Sequence, residues 1–531
     1  MTSVWGELKR RNVVRVTIAY AIVAWLLIEI STTTFPMLNV PEWAATLVTV
    51  LLLIGFPVAI IFAWAFELTP EGLKKEIDVD RSASITHITG RKLDFVIIGV
   101  LVVAVGFLLV DKLFLIDGHK SPGEVIATER QSIAVLPFKT LSDDPSQDYF
   151  GDGVTNDIIT DLSKFSNLLV IASNSVFTYK GKPVNVKDVG RELGVRYVLE
   201  GTIQKSANRV RINAQLIDAT TNRHLWADRY DFELDDIFSV QDEITNIVVT
   251  SLQVILTPDE KSRATIRHTK VGEAYDLFLR GRTYLRGTKK THLKARELFD
   301  QAIELDPDFA AAYAEKSFTY FSSFIMPMSR DPKVMKGALD AAERAVALDD
   351  TLPLAHARLA WAYFATRQHA KAIAAARRAV ALGPSDAEAH AQLGNVLNWS
   401  GKPEEGKLHV ERAMRLNPHY PYYYLFYLGQ SHYLLEHHEE AIELLKRVVS
   451  RAPYFLPVRR HLAVLYTEIG LLEEAKAETA TVLRVFPGAS IEDERARCFY
   501  RWTPDLMNRF FDGLRKSGMP EGVAGEEPIS M

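Results

Sequence analysis

A repeat of about 34 residues constrains this chain more than any other feature of it. The pairs Leu359-Ala360, Leu393-Gly394, Leu428-Gly429 and Leu462-Ala463 recur at intervals of 34, 35 and 34 residues. The small residues Ala372, Gly406, Ala441 and Ala475 keep the same spacing, and so do the prolines Pro384, Pro418, Pro453 and Pro487. Three columns with one period describe a unit of two helices. The small residues let the paired helices approach, and each proline ends the second helix and opens the turn into the next unit. Two less regular units precede these. Ala295, Ala302 and Pro307 close one that begins near Gly272, and Ala338, Ala345 and Asp350 close another with an insertion around Met326 to Pro332. The expectation is an all-α superhelix of about six units over 272–487, followed by a helical cap and tail over 488–531, with Ile491 to Arg515 covering the last apolar face.

The pattern resembles the tetratricopeptide repeat (TPR). A solenoid of that kind has no enclosed pocket for chemistry but presents a concave groove built from the first helix of each unit, where a protein or peptide can lie. Aligned on the small residue of each first helix, Trp361, Phe364, Asn395, Asn398, Tyr423, Phe426, Gln430, Tyr433, Arg460 and Thr467 fall toward that groove. The stretch from Tyr420 to Tyr433 is rich in aromatics, which are favoured contact residues at interfaces. Packing between helices is the competing reading for each of the ten, because large apolar residues in repeats fill the core. Asn395 and Asn398 are similar to the asparagines of carboxylate-clamp repeats, but Ala391 stands where a clamp needs a cation, so no clamp is expected.

At 531 residues the chain has room for further domains. Its first 117 residues hold three apolar stretches, about 16–35, 43–66 and 94–116. The first two are long enough to cross about 30 Å of hydrocarbon; the third reaches full length only if Lys112 snorkels. Basic residues set the orientation. Lys9, Arg10, Arg11 and Arg15 precede the first stretch, the next turn has none, and Lys74, Lys75, Arg81, Arg91 and Lys92 follow the second. That alternation puts the N-terminus in the cytoplasm of a bacterial inner membrane, with residues after about 118 in the periplasm, or in the cytoplasm if the third stretch does not cross. Glu29 reads as an interfacial carboxylate and Pro57 as a packing kink, and neither is given a role.

Residues 118–130 read as a linker, and 131–257 as a small α/β domain. Ser132 to Phe138 forms a buried strand, and Asp152 to Leu162 a helix capped by Asp152 or Thr155. Leu168 to Ala172 gives a second strand and Val186 to Leu193 a helix ended by Gly194. Strands at Tyr197 to Gln204, Val210 to Ile217 and His224 to Tyr230 and a closing helix from Ile237 to Leu256 complete it. Four segments carry a resemblance: Ser132-Ile-Ala-Val-Leu-Pro-Phe138, Tyr149-Phe-Gly-Asp-Gly-Val-Thr155, Gly190 to Gly201 and Leu225-Trp-Ala-Asp-Arg-Tyr230. They resemble the FlgO-like, or TolB amino-terminal-like, domain. Such domains occur in cell-envelope proteins and beside TPR arrays in CadC-like regulators and in proteins labelled adenylate cyclases. The resemblance implies a partner-binding module. Residues 1–12 leave no room for the helix-turn-helix domain of those regulators, nor does the chain show a cyclase domain, so a cyclase label would be inherited from relatives.

Little in the sequence points to chemistry. The formal charge of −4 gives no basic field for nucleic acid. The single cysteine, Cys498, excludes a thiolate metal cluster. Zinc-protease, nucleophile-elbow and Walker patterns are missing. His437-His438-Glu439-Glu440 falls at a turn between repeat helices, where adjacent histidines diverge, and Gly151-Asp152-Gly153 reads as a capping turn because Asp152 repels a phosphate. No catalytic residue, cofactor or metal is expected. The reading is a membrane-anchored scaffold that binds partners through the groove and the α/β domain. Its rival is a transmembrane sensor whose α/β domain binds a small ligand.

Overall fold

The computed structural model describes residues 131–142, 147–206, 208–263, 269–285, 289–325, 332–497 and 502–522, all within a compact unit that runs from Ser121 to Met531. A separate unit, Met1–Lys120, is described at residues 17, 20, 24, 25, 28, 49–52, 55–57, 66–69 and 72–75.

In the N-terminal unit the described positions of the first two apolar stretches are helical up to residue 57, and they touch. The Tyr20 hydroxyl donates to the Leu52 carbonyl at 2.7 Å, and its ring lies 5.6 Å from that of Phe56. Trp25, Val50 and Leu51 are exposed. Phe66–Thr69 and Gly72–Lys75 pair as an antiparallel hairpin. No helix among the described residues is long and apolar enough to cross a membrane. Most of 16–35 and 43–66, all of 94–116 and all of the 118–130 linker lie outside the described residues.

The larger unit begins with a mixed sheet. Its strands are β1 (Gln131–Val135), β2 (Lys139–Thr140), β3 (Leu168–Val170), β4 (Tyr197–Ser206), β5 (Arg209–Asp218) and β6 (Arg223–Glu233), in the order β3-β1-β4-β5-β6 with β2 also beside β4. β1 runs parallel to β3 and β4, whereas β4, β5 and β6 are antiparallel. Covering on both faces explains the apolar run from Ile133 to Val135 that ends β1, and the alternation of Val210, Ile212, Ala214 and Leu216 along β5 points every second side chain into the core. Helices α1 (Asp148–Ser163), α2 (Ser173–Val176), α3 (Val186–Leu193) and α4 (Ile237–Ser251) pack on this sheet, and the short α5 (Pro258–Arg263) follows. Gly194 ends α3 in the left-handed conformation, with φ of 67°, as its place after Leu193 predicts.

One expectation about α1 fails. The helix starts a turn earlier than Asp152, so Gly151-Asp152-Gly153 is inside it and forms no capping turn. Its glycines serve close approach: a Cβ at Gly151 would lie 2.9 Å from the Phe138 carbonyl oxygen, and one at Gly153 would lie 2.5 Å from Leu279. Thr155 is no cap either; it is buried, donating to the Gly151 carbonyl and accepting from the Phe138 amide.

Six helix pairs follow among the described residues: α6 (Gly272–Thr283) with α7 (Lys289–Leu305), α8 (Ala310–Ile325) with α9 (Pro332–Leu348), α10 (Pro353–Ala365) with α11 (His369–Leu382), α12 (Ala387–Trp399) with α13 (Pro403–Leu416), α14 (Tyr422–Leu434) with α15 (His438–Arg451) and α16 (Leu456–Glu468) with α17 (Leu472–Val485). Helices α18 (Ile491–Arg497) and α19 (Pro504–Lys516) end the fold. The periodic small residues do what their spacing predicts. A Cβ at Gly394 would meet Val410 at 2.5 Å and the Gly406 carbonyl oxygen at 2.8 Å, so α12 and α13 pack almost backbone to backbone.

The sheet and the repeats share one core, which runs from Ile133 in β1 through Phe278, Phe309 and Leu352 to Leu416. Tyr275 of α6 is fully buried, with its ring edge-on to Phe238 at 4.7 Å and its hydroxyl donating to Asp157 of α1. Tyr149 donates to Asp276 at 2.6 Å, and Arg282 reaches Asp157 at 3.1 Å. Farther along the array, the turns between repeats close the short β3 edge. Ser385 donates to the Leu168 carbonyl at 2.6 Å, the Ala172 amide to the Leu416 carbonyl at 2.9 Å, and Ser175 to Asn417 at 2.6 Å.

Candidate partner-binding groove

The first helices of successive pairs, α8, α10, α12, α14 and α16, lie side by side and define the inner face of the array. At its N-terminal half this face is aromatic. Phe321 stacks at 4.8 Å on Trp361, and Phe364 at 4.4 Å on Trp399, with Trp361 and Trp399 5.9 Å apart. Trp361 and Phe364 are among the expected groove residues, and both are buried in this cluster. Trp399 is not, since it follows the last residue of α12 that the alignment selects.

The central part is polar and buried. Asn398 donates to the Tyr427 carbonyl at 2.8 Å and accepts from Ser431 at 2.9 Å, tying α12 to α14. Gln430 of α14 donates to Nε2 of His461 at 3.2 Å, while Nδ1 of His461 donates to the Pro457 carbonyl at 2.9 Å. That pairing requires the neutral ring, and burial pushes the His461 pKa down to about 4. Asn395, one turn before Asn398, has no exposed surface, and neither of its amide atoms has a hydrogen-bond partner among the described residues. The same holds for Oε1 of Gln430 and Nε of Arg460. A buried polar atom without a partner costs about 1–3 kcal/mol, and other atoms of the array, such as Oε1 of Gln392 and both ring nitrogens of His292, share this state among the described residues.

The remaining expected residues lie on the first helices α14 and α16 and take part in contacts there. Tyr423, half-buried, donates to Glu388 at 2.9 Å, and Glu388 also accepts from Gln392 at 3.1 Å. Phe426 lies edge-on to Phe455 and His461, at 5.1 and 5.2 Å. Tyr433 is buried against Trp502 and donates to Glu468; burial raises its pKa well above the ordinary phenol value. Arg460 pairs with Glu494 at 2.9 Å, and Thr467 donates to the Gly513 carbonyl at 3.3 Å. Three of these partners, Trp502, Glu494 and Gly513, belong to the C-terminal segment, which the sequence placed over the end of the array and the structure lays along its inner face.

A second histidine is held neutral between α12 and α13. Nε2 of His390 donates to the Pro384 carbonyl at 3.2 Å, and its Nδ1 faces Nδ1 of His409 at 3.0 Å, so His390 accepts there. Burial, with His409, Arg412 and Arg415 nearby, pushes its pKa down to about 4. His437 and His438 sit at the expected turn, and among the described residues no group of three or more His, Cys, Asp or Glu side chains is placed to hold a metal ion.

Comparison with known proteins is consistent with this architecture. Residues 353–396 and 434–496 match tetratricopeptide-repeat models, and residues 129–247 match the model of the HilA/YgeH-like transcriptional regulator, second domain. A protein of Rhizobium meliloti (strain 1021) named putative adenylate cyclase 3 is 49% identical over 235 residues, which are 44% of this chain and 40% of that protein. The chain therefore spans well under half the length of the curated relative it matches. Among solved structures, a thermophilic TPR protein of Thermus thermophilus is similar over 35% of this chain and 95% of its own, at 17% identity and a TM-score of 0.30. The pilF protein of Pseudomonas aeruginosa is similar over 42% and 96%, at 18% identity and a TM-score of 0.32. The C-terminal region is thus an all-helical TPR array, a fold that serves as a protein-interaction scaffold, and a small mixed-sheet domain precedes it.

Proposed function

We propose that this protein is a membrane-anchored scaffold of the bacterial cell envelope that gathers protein or peptide partners along its repeat groove, with the α/β domain as a second docking module. The observation that carries the reading is the row of first helices, where an aromatic cluster of Phe321, Trp361, Phe364 and Trp399 stands one helical turn from Asn395, whose buried amide atoms have no partner among the described residues. Interfaces are built from such aromatic anchors beside a few placed polar groups. The apolar stretches at 16–35, 43–66 and 94–116 and the exposed Trp25, Val50 and Leu51 support the anchor. The motif resemblance of residues 131–257 to FlgO-like and TolB amino-terminal-like domains supports an envelope setting, with the N-terminus cytoplasmic and the domains periplasmic. The proposal includes no catalytic step, and the activity named in the Rhizobium relative is not carried over from a match to 40% of it.

Photocrosslinking in cells tests the reading. A crosslinking amino acid at position 423, in the groove, is expected to capture partners that the same group at the exposed Lys476 does not. Identical captured sets from the two positions would remove the groove from the account. A topology reporter fused after Asp117 decides the side of the membrane. The match of residues 129–247 to a regulator domain favours a second reading, a CadC-like sensor whose α/β domain binds a small ligand. A thermal-shift ligand screen on the full chain, with hits lost on altering the sheet and kept on altering the groove, would favour that reading.

A further inference from the structure

Resting on the reading that the groove receives partners, we propose that residues 502–519 are a built-in stand-in for the partner. They occupy the C-terminal half of the groove, and a polypeptide segment bearing aromatic and arginine side chains displaces them.

The placement of the segment is the first argument. Helix α19 packs on the last pair, as a cap does, but the segment also reaches past it. Nε1 of Trp502 donates at 3.1 Å to the Asn398 carbonyl on α12, two pairs back. The Trp502 ring lies 6.1 Å from Tyr433 on α14, and Phe510 lies 5.3 Å from His461 on α16. Gly513 presses on Val464 of α16, and Ser517 meets Thr479 of α17 at 2.6 Å. Helix α19 has 13 residues, about 20 Å of length, which is the distance covered by three adjacent helices at about 10 Å spacing. The segment therefore crosses the first helices of three repeats, the course a bound peptide would take.

The fit is the second argument. At the rim Arg509 is clasped by two carboxylates, Glu436 at 2.7 Å and Glu468 at 3.1 Å. On the three first helices that the segment crosses, Asn395, Gln430 and Arg460 each keep a polar atom with no hydrogen-bond partner among the described residues. Where the sheet domain docks on the same array, Ser385 donates to the Leu168 carbonyl and Ser175 to Asn417. A segment that leaves amides unpaired yields to one that bonds them, since a peptide's own N–H and C=O groups are the natural partners of a carboxamide. The chemistry of the displacing partner follows from what is already seated: a tryptophan or phenylalanine for the pocket between Tyr433 and His461, and an arginine for Glu436 and Glu468.

The test uses the full chain and a fluorescent peptide of its own residues 498–520. Wild-type protein is expected to bind the peptide weakly, because the site is filled in cis. Arg509→Glu sets a third carboxylate beside Glu436 and Glu468 and loosens the clasp, and should strengthen peptide binding about tenfold or more. Tyr433→Ala added to that variant should abolish the gain. Equal binding by wild type and a folded Arg509→Glu variant would overturn the proposal. So would a dimer in which the segment fills the groove of a second copy. Should Arg509→Glu fail to fold, hydrogen exchange on the wild type decides instead. Amides of 504–516 are expected to exchange far faster than those of 456–468, and equal protection would sink the idea. Peptide binding without crosslinked partners in cells would refute the scaffold reading while leaving this one intact.

Discussion

The repeat array meets the rest of its compact unit in two places, and the two contacts are built differently. On one side the sheet domain is fused to it. Apolar residues of both form a continuous core, Gly153 lets α1 approach Leu279, and hydroxyls and backbone groups at the turns find partners. On the other side the C-terminal segment joins a separate core cluster at the end of the array through Trp502, Phe510, Phe511, Leu514 and Met519, with a rim clasp at Arg509. Burial does not separate the two, since Tyr275 and Phe510 are both nearly inaccessible, and each contact has its own buried hydrogen bonds. Continuity of the core does: the sheet domain shares one cluster with the repeats from Ile133 to Leu416, whereas the segment belongs to a separate cluster at one end of the array. A core threaded through many elements opens as one unit, and a segment seated at one end is the part that can open alone.

Truncating an aromatic on each side should expose the contrast. Tyr275→Ala, in the fused contact, is expected to cost about 3–5 kcal/mol and to lower the melting of sheet and repeats together, followed by circular dichroism. Separate melting of the two would break the comparison. Acid provides the next largest effect. His390 and His461 have folded pKa values of about 4 against an ordinary 6.5, so the unfolded chain binds more protons between these values. Stability is full above about pH 6.5 and is lost as pH falls toward 4, by about 2 kcal/mol for each histidine at pH 5. A melting temperature that does not fall from pH 7 to pH 5 would contradict the neutral pairings assigned to both rings.

Gly394→Ala tests the array itself. Its Cβ would crowd the Gly406 carbonyl and Val410, and the loss should be about 1–3 kcal/mol in denaturant unfolding. The smallest effect is expected at the weaker contact. Trp502→Ala removes an indole as large as any in the core, yet should lower global stability by less than about 1 kcal/mol, because only the segment is released. A loss comparable to that of Tyr275→Ala would show that residues 502–519 belong to the fold as fully as the sheet does.

Much of this was legible in the residues. The period of Leu-Ala and Leu-Gly pairs, small residues and prolines located the helix pairs from Gly272 to Val485, because each column answers to a local requirement of packing or turning. The alternation along β5 and the glycine after Leu193 were equally local signals. Gly151 and Gly153 misled for the same reason: a glycine pair before an apolar run looks like a helix entry, and the demand for close approach comes from Phe138 and Leu279, distant in sequence. The groove was half legible. Helical spacing put all ten expected residues on the first helices of their pairs, but it could not show that Trp399, Glu388 and His461 contact them, or that seven of the ten are nearly inaccessible.

By itself the sequence determined which segments are helix or strand and which faces they bury, since these follow from periods of 3.6 and 2 and from small residues at fixed places. Only the tertiary structure decided that sheet and repeats share one core and that the C-terminal segment turns back across the groove. Both depend on contacts between residues 100 or more apart, such as Tyr275 with Asp157 and Trp502 with Asn398, and no local pattern encodes which distant surface a finished element will meet.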